Sequence, residues 1–286
     1  MWKAVLRRAM LAVLTVVGGG LLSATLSRYA PGFGTDERQL DARLSSASLA
    51  AIRAQHAAER NIFTYYAGSL QRAFRGDLGT SSTLNRPVRE LLAQRFPVTL
   101  QVVVRGLAIG WLLALLLVLA EWLVRTPLLV QCVTLSESAL LCLPAAVMAL
   151  LAVLLNAPAY LALALIIFPK VHRYLSNLVS DIREQAYLIT ARATGASELR
   201  LLLRHVCPAL RREALALAGV SAGLAISAAI PLEALCGIPG IGQLAWQSAM
   251  ARDLPLLVNL SVLIIAGVTL ANTGADLLAD QGRIHA

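Results

Sequence analysis

The sequence predicts an all-α, polytopic membrane protein with about six transmembrane helices. Hydrophobic residues make up 58% of the 286 residues and charged residues 14%, and the mean hydropathy is +0.69. A soluble domain has about 45–50% apolar and about 25% charged residues. Apolar segments near the length of about 20 residues that crosses a bilayer recur along the chain. Apart from those in the long first outer loop, the basic residues fall mainly on the side that this topology makes cytoplasmic.

The net charge of +9 raises nucleic-acid binding as an alternative. We exclude that class because the basic residues are spread between apolar segments and do not form one soluble face. The four cysteines, Cys132, Cys142, Cys207 and Cys236, lack the spacing of metal ligands. The sequence therefore predicts no nucleic-acid partner, no metal site and no cofactor.

Residues 1–26 are predicted to form an N-terminal transmembrane helix. Lys3, Arg7 and Arg8 precede an apolar run of about 18 residues, close to spanning length. A cleaved signal peptide is the alternative, but the run ends without an A-x-A site. The basic start places the N-terminus on the cytoplasmic side.

Residues 27–97 are predicted to form an extracytoplasmic helical segment, with helices at 41–53 and 62–74. The segment is rich in arginine, which opposes the positive-inside rule, but that rule weakens for loops longer than about 60 residues. Residues 98–280 are predicted to form a core of five further spans. These spans are 98–124, 128–155, 159–178, 214–232 and 256–278.

Two of these spans carry particular expectations. Pro144 predicts a kink within the span at 128–155. The span at 159–178 is apolar only as far as Phe168. It can cross only if the helix continues past Lys170 and His172. We expect their side chains to reach toward the cytoplasmic interface, and the alternative is that they face a central cavity. Six spans place both termini in the cytoplasm.

Residues 180–210 are the longest polar interruption in the second half of the chain. Their periodicity predicts two short amphipathic helices that are joined at Gly195 and stopped by Pro208. Gly195 can adopt a positive φ and end the first helix sharply. The pair either docks a partner protein or lies on the lipid surface, and periodicity does not separate these alternatives.

The spacing from Gly195 to Pro208 resembles the cytoplasmic coupling loop of ABC-importer permeases. Residues 190–195 read T-A-R-A-T-G and are similar to the form that is common in peptide-type members. Residues 189–191 stand at that loop's E-A-A positions, so its acidic residue is absent. The resemblance implies a set of residues that couple to the ATPase: Thr190, Ala191, Arg192, Ala193, Gly195, Ala196 and Pro208.

Further motifs resemble the dipeptide, oligopeptide and nickel permease family. They are residues 74–81, 86–88, 95–100, 231–234, 239–242, 251–255, 272 and 276–278. Residues 233–255 are similar to the family's outer re-entrant loop. The resemblance implies a set of outer-loop or gate residues: Glu233, Pro239, Gly240, Gly242, Arg252 and Asp253. An ordinary surface turn with solvated charges is the alternative. The connection at 156–158 is shorter than the family's, and residues 31–62 match no motif of it.

The resemblance implies a type I ABC-importer permease in the bacterial cytoplasmic (inner) membrane. It implies a second homologous permease, two ABC ATPase subunits and an extracytoplasmic substrate-binding protein as partners. The cargo would be peptides or a related small solute, such as a nickel chelate or an opine. The chain has no P-loop, so we expect no enzyme activity in it and ATP hydrolysis in its partners.

The sequence leaves two other functions open. The first is a scaffold subunit that keeps the permease fold but does not transport, since the acidic residue of the coupling loop is absent. A secondary transporter is the second, and it is disfavoured because the spans hold almost no acidic residue for ion coupling. Glu121 and Glu137 lie near predicted cytoplasmic ends.

Overall fold

The structure is a computed structural model that describes residues 2–29, 62–124 and 126–281. The predicted helix at 41–53 lies outside the described residues. In the described part, regular structure is helical apart from one bridge between Thr80 and Pro87. The helices are α1 (Trp2–Tyr29), α2 (Ile62–Phe74), α3 (Val88–Val124), α4 (Pro127–Leu141), α5 (Ala145–Leu154), α6 (Ala159–Arg183), α7 (Ala186–Ala193), α8 (Glu198–Leu201), α9 (Cys207–Leu235), α10 (Ile241–Met250) and α11 (Leu254–Gln281).

The predicted all-α polytopic fold is confirmed. Within the described residues, four helical runs are long and apolar enough to cross a membrane, namely 6–26, 88–124, 198–235 and 254–277. The bent pair of α4 and α5 would make a fifth. Helix α6 has 25 residues and measures about 37 Å at 1.5 Å per residue. Its length suits a sixth span, although Lys170, His172 and Arg173 lower its hydropathy.

Helix α6 is the centre of the core. It packs against α3, α4, α5 and α9, and its apolar side chains are largely buried. Close packing against α3 depends on glycine, because a Cβ at Gly106 would lie 2.7 Å from Leu163. A Cβ at Gly110 would lie 3.1 Å from the carbonyl oxygen of Ala164. Small residues at these positions let the two helix backbones approach each other.

The N-terminal helices attach to the last one. Ser23 on α1 shares a 2.7 Å hydrogen bond with Ser261 on α11. The Tyr66 hydroxyl on α2 donates to the carbonyl oxygen of Val17 at 2.9 Å. Burial raises the pKa of Tyr66, so its hydroxyl stays protonated and donates at neutral pH. Helix α2 has the bounds that the sequence predicted for it.

Pro144 produces a break instead of the predicted kink. Helices α4 and α5 meet at 100°, and Pro144 is the extended N-cap of α5, with φ −61° and ψ 148°. A proline disfavours the helical conformation at the residue before it, here Leu143. The predicted single span at 128–155 is therefore two helices.

The prediction that Pro208 stops a helix is wrong. Pro208 lies in the first turn of α9, and the helical run from residue 198 to 235 passes through it. A π turn at Leu202–Val206 comes just before it, where the Cys207 amide donates to the carbonyl oxygen of Leu202. This wider turn changes the backbone register ahead of Pro208, which has no amide to donate and would otherwise clash within the helix.

Helices α9 and α11 meet through small residues, and this contact gives a testable prediction. A Cβ at Gly219 would lie 2.7 Å from the carbonyl oxygen of Ala271. We expect Gly219→Ala to lower the free energy of unfolding by about 2 kcal/mol through overpacking. Thermal unfolding of the purified chain in detergent measures it. Gly274→Ala on α11 is the control, because its Cβ meets nothing within 4 Å; equal effects of the two changes would contradict the prediction.

Candidate functional site

The turn at Gly195 has the geometry of a Schellman motif. Gly195 has φ +85°, and its amide donates to the carbonyl oxygen of Arg192 at 3.0 Å. The next amide, of Ala196, donates to the carbonyl oxygen of Ala191 at 3.3 Å. An L-residue at this φ costs about 1–2 kcal/mol. The predicted sharp end of the first helix at Gly195 is therefore confirmed.

An ion pair joins the two helices across this turn. The Arg192 guanidinium donates to both carboxylate oxygens of Glu198, at 2.9 and 3.3 Å. Both side chains are about one-third exposed, so the pair adds less than about 1 kcal/mol of stability. Its main effect is to fix the angle between α7 and α8. Sequence reasoning missed Glu198, because a partner six residues away across a turn follows no helical spacing.

The helix pair is anchored on its inner face. Leu188, Leu201 and Val206 are fully buried in the core. The Trp122 indole on α3 donates to the carbonyl oxygen of Glu198 at 3.1 Å, and the Arg183 guanidinium lies 4.4 Å from the centre of the Trp122 ring. These contacts hold the α7–α8 pair as one rigid unit with the bundle.

The outer face of the pair is exposed. Tyr187, Leu199 and Leu203 are 43%, 54% and 61% exposed. Of the predicted coupling residues, those from 190 to 196 lie together here, and Thr190, Ala193 and Gly195 are exposed while the others are half-buried. Pro208 is separate, because it lines a groove between α3 and α9. The helix pair therefore presents a mixed apolar and basic surface.

At the other predicted site, Asp253 is the centre of a buried hydrogen-bond cluster. One carboxylate oxygen caps α11 by accepting the Leu256 amide at 3.1 Å. The other accepts the Thr83 amide at 3.0 Å, the Thr83 hydroxyl at 2.7 Å and the Ser81 hydroxyl. Asp253 is fully buried, so it is not solvated. Two motifs that lie about 170 residues apart in the sequence thus meet at one side chain.

The segment at 75–87 folds onto the start of α11. Gly76 and Gly79 have φ +82° and +74°, and the Gly79 amide donates to the Asp77 carboxylate at 2.9 Å. The Asn259 side chain donates to the carbonyl oxygen of Leu78 at 3.0 Å. The sequence predicted that this motif belongs to an outer loop, but not that it supplies hydrogen-bond donors to Asp253.

The loop before α10 is built around Glu233. Glu233 is fully buried, and its Oε2 accepts the Gly242 amide at 2.7 Å. A Cβ at Gly240 would overlap this carboxylate, and one at Gly242 would lie 2.6 Å from the Cα of Ile230. Pro239 precedes this pair. Arg252, another predicted gate residue, has an exposed side chain and φ +56°. The loop therefore encloses the Glu233 side chain and leaves the Arg252 side chain on its surface.

The expectation that His172 reaches toward the interface is wrong. Lys170 is exposed, but His172 is 2% exposed. Its ring lies between the carboxylates of Glu137 and Glu121. The ring is therefore held in the core by two acidic residues on neighbouring helices, which sequence reasoning had treated as unrelated.

The described residues form an apolar helical bundle with several helices long enough to span a membrane, which is the architecture of a multi-pass membrane protein. Residues 106–281, more than half of the chain, match the family of binding-protein-dependent transport system inner membrane components. The chain belongs to this family. It is a permease subunit of an ABC importer, a multi-pass protein of the inner membrane that works in a complex with other subunits.

Several relatives align with this chain over most of their length. The alignment with the oligopeptide transport system permease protein OppB of Escherichia coli K12 has 288 positions, is 27% identical and covers 92% of each chain. The alignment with a Brucella suis protein named as a putative peptide permease has 263 positions, is 27% identical and covers 82% of each chain. The alignment with a Brucella abortus protein named as a putative peptide transport system permease has 229 positions, is 28% identical and covers 66% of this chain and 68% of the relative.

Proposed function

We propose that the chain and a second homologous permease form the translocation pathway for peptides or a related small solute, such as a nickel chelate or an opine. Two ABC ATPase subunits drive the cycle, and an extracytoplasmic binding protein delivers the cargo. The names of the relatives support peptides as the cargo class. Both termini and the α7–α8 pair lie on the cytoplasmic side in this proposal.

The observation that carries the proposal is the exposed surface of the α7–α8 pair. Leu199 and Leu203 line a depression of about 480 Å³ together with Arg200 and Arg204. Exposed apolar side chains beside two cations suit a protein partner with an apolar knob and an acidic rim. Because the pair is braced by Arg192 and Glu198, a movement of the ATPase would pass to the bundle as a rigid-body rotation.

The outer loop at 233–255 has a supporting role in this proposal. Glu233 and Asp253 hold the loop from inside, where both are fully buried. Pro239 and Arg252 are the exposed residues of the predicted gate, and in this proposal they face the binding protein or the cargo. Gly240 and Gly242 let the loop backbone approach Glu233 closely.

The proposal is tested at Gly195. Gly195→Val is expected to abolish co-purification of the ATPase subunits and uptake of a labelled peptide, because the change breaks the turn that orients α7 on α8. Gly237→Val is the matched control. Both glycines have positive φ, +85° and +67°, and a Cβ at either would meet nothing within 4 Å. The strain is therefore similar, about 1–2 kcal/mol, but Gly195 lies between α7 and α8 whereas Gly237 follows α9. Retained ATPase docking and uptake in Gly195→Val would refute the coupling surface.

A scaffold subunit that does not transport is the second candidate. The observation that favours it is that Ile189 stands where the family's coupling loop has an acidic residue. A purified complex in proteoliposomes separates the two candidates. ATP-dependent peptide uptake supports the permease, whereas a complex that contains the ATPase but accumulates no peptide supports the scaffold.

A further inference from the structure

Helix α4 is weakly attached to the bundle. Of its 15 residues, only Val133 and Glu137 are buried. Leu140 packs against the core from a half-buried position, whereas Leu128 and Leu135 are 70% and 71% exposed. Two apolar side chains, Val133 and Leu140, and the Glu137 carboxylate are therefore the main contacts of this helix with the core.

The carboxylate is held by His172 on α6. The Nδ1 of His172 contacts Oε1 of Glu137, and its Nε2 lies 3.6 Å from Oε2 of Glu121 on α3. Glu121 also accepts the Ser176 hydroxyl at 2.8 Å. Both ring nitrogens therefore face carboxylate oxygens. The Nε2 contact is too long for a hydrogen bond, so its effect is electrostatic. A protonated ring would be attracted to the carboxylates on both sides of it.

Glu121 and Glu137 are the carboxylates that the structure places beside His172. Arg173 acts electrostatically on Glu137 together with His172 and Glu121. Helix α5 has no ionisable side chain, and on α7 Arg192 pairs with Glu198. The ionisable residues of α9 are Cys207, Arg211, Arg212, Glu213 and Glu233. A cavity of about 290 Å³ lined by Glu121, Ser176 and Arg183 lies beside the cluster.

Helix α4 also has a joint at each end. It starts after Thr126, whose backbone is extended at ψ 129°, and it ends before the 100° bend that leads into α5. A rigid helix between two joints can swing as a unit when its attachment to the core is released. The ion pair at Glu137 is thus placed to control the position of α4.

We propose that His172 is a proton-operated latch for α4. The protonated ring ties Glu137, and with it α4, to the core formed by α6 and α3. Loss of the proton removes the charge attraction and leaves two carboxylates beside a neutral ring, so α4 is released. The permease would thereby respond to pH on the side of the bundle that carries the α7–α8 pair.

The native Cys132 is a suitable reporter, because it lies on α4 and is exposed. The full chain, with Cys142, Cys207 and Cys236 changed to serine, is labelled at Cys132 with a nitroxide. It is then placed in nanodiscs of phosphatidylethanolamine and phosphatidylglycerol. The mobility of the label is measured by electron paramagnetic resonance at a series of pH values on both sides of neutrality. We expect mobility to increase as the pH rises.

Variants separate the latch from general effects of pH. His172→Gln is expected to remove the pH response and to leave the label mobile throughout. Glu137→Gln keeps the histidine but removes its anionic partner, and this change should also remove the pH response. It replaces His172→Gln as the test if that variant does not fold. His205→Gln, which changes a half-buried histidine near Tyr187, should keep the pH response. A label whose mobility does not change with pH, or a response that survives both changes at the cluster, would overturn the proposal.

Discussion

Replacing Asp253 by alanine is expected to destabilise the protein more than any other single change at the outer loop. The carboxylate is fully buried and accepts hydrogen bonds from Ser81, Thr83 and Leu256. Alanine would leave four donors without an acceptor and remove the N-cap of α11. The combined cost is about 3–5 kcal/mol. Thermal unfolding in detergent measures the loss, and limited proteolysis at 75–87 reports the release of that segment.

Asp77→Ala is the matched control for this change. Asp77 is exposed and accepts one amide, from Gly79, so its loss should cost about 1 kcal/mol or less. Asp253→Asn keeps one acceptor oxygen but places its side-chain NH2 group beside donors. Its loss of stability should therefore lie between the losses in Asp253→Ala and Asp77→Ala. If Asp253→Ala and Asp77→Ala shift the unfolding temperature equally, the cluster at Asp253 does not hold the outer loop.

Hydropathy was sufficient to predict the main helices. The apolar segments at the N-terminus, in 98–124 and in 256–278 correspond to α1, α3 and α11, because lipid-exposed helices are apolar on most of their surface. Helix α3 begins at Val88, ten residues before the predicted span. Its first turns contain Arg89, Glu90 and Arg95. Hydropathy does not detect a charged helical extension beyond the apolar stretch.

Proline was an ambiguous signal. Pro144 breaks the chain at 100°, whereas Pro208 lies inside a continuous helical run. The same lack of an amide acts at both positions. At Pro208 the π turn before it adjusts the backbone register, and the first turn of a helix tolerates a missing donor. Sequence alone does not reveal a π turn, so it could not show whether the helix ends at Pro208 or continues through it.

The buried acids could not be predicted from local patterns. Asp253 and Glu233 lie near the two ends of the predicted outer loop, where solvation was a reasonable alternative. Their burial depends on partners elsewhere in the chain, Thr83 for Asp253 and the Gly242 backbone for Glu233. The cluster at His172 likewise combines side chains from three helices. Gly195 was predictable because a helix end with φ > 0 is a local requirement of the backbone.

Gly240→Ala should cause a loss of stability that depends on Glu233. Gly240 has φ −105° and ψ −172°, a backbone that alanine adopts without strain, so the expected effect is steric alone. The added Cβ would overlap the Glu233 carboxylate, and this carboxylate accepts the Gly242 amide. Moving it aside leaves the amide unsatisfied, at a cost of about 2–3 kcal/mol. Thermal unfolding in detergent and peptide uptake both report the change.

A double-mutant cycle isolates this contact. Glu233→Ala removes the carboxylate and is itself destabilising, but in that background Gly240→Ala should add almost nothing. The coupling energy between the two sites is then about 2 kcal/mol. Glu233→Gln is the control background, because glutamine occupies the same volume and Gly240→Ala should remain costly in it. Additive effects of Gly240→Ala and Glu233→Ala would mean that the loop does not close on Glu233.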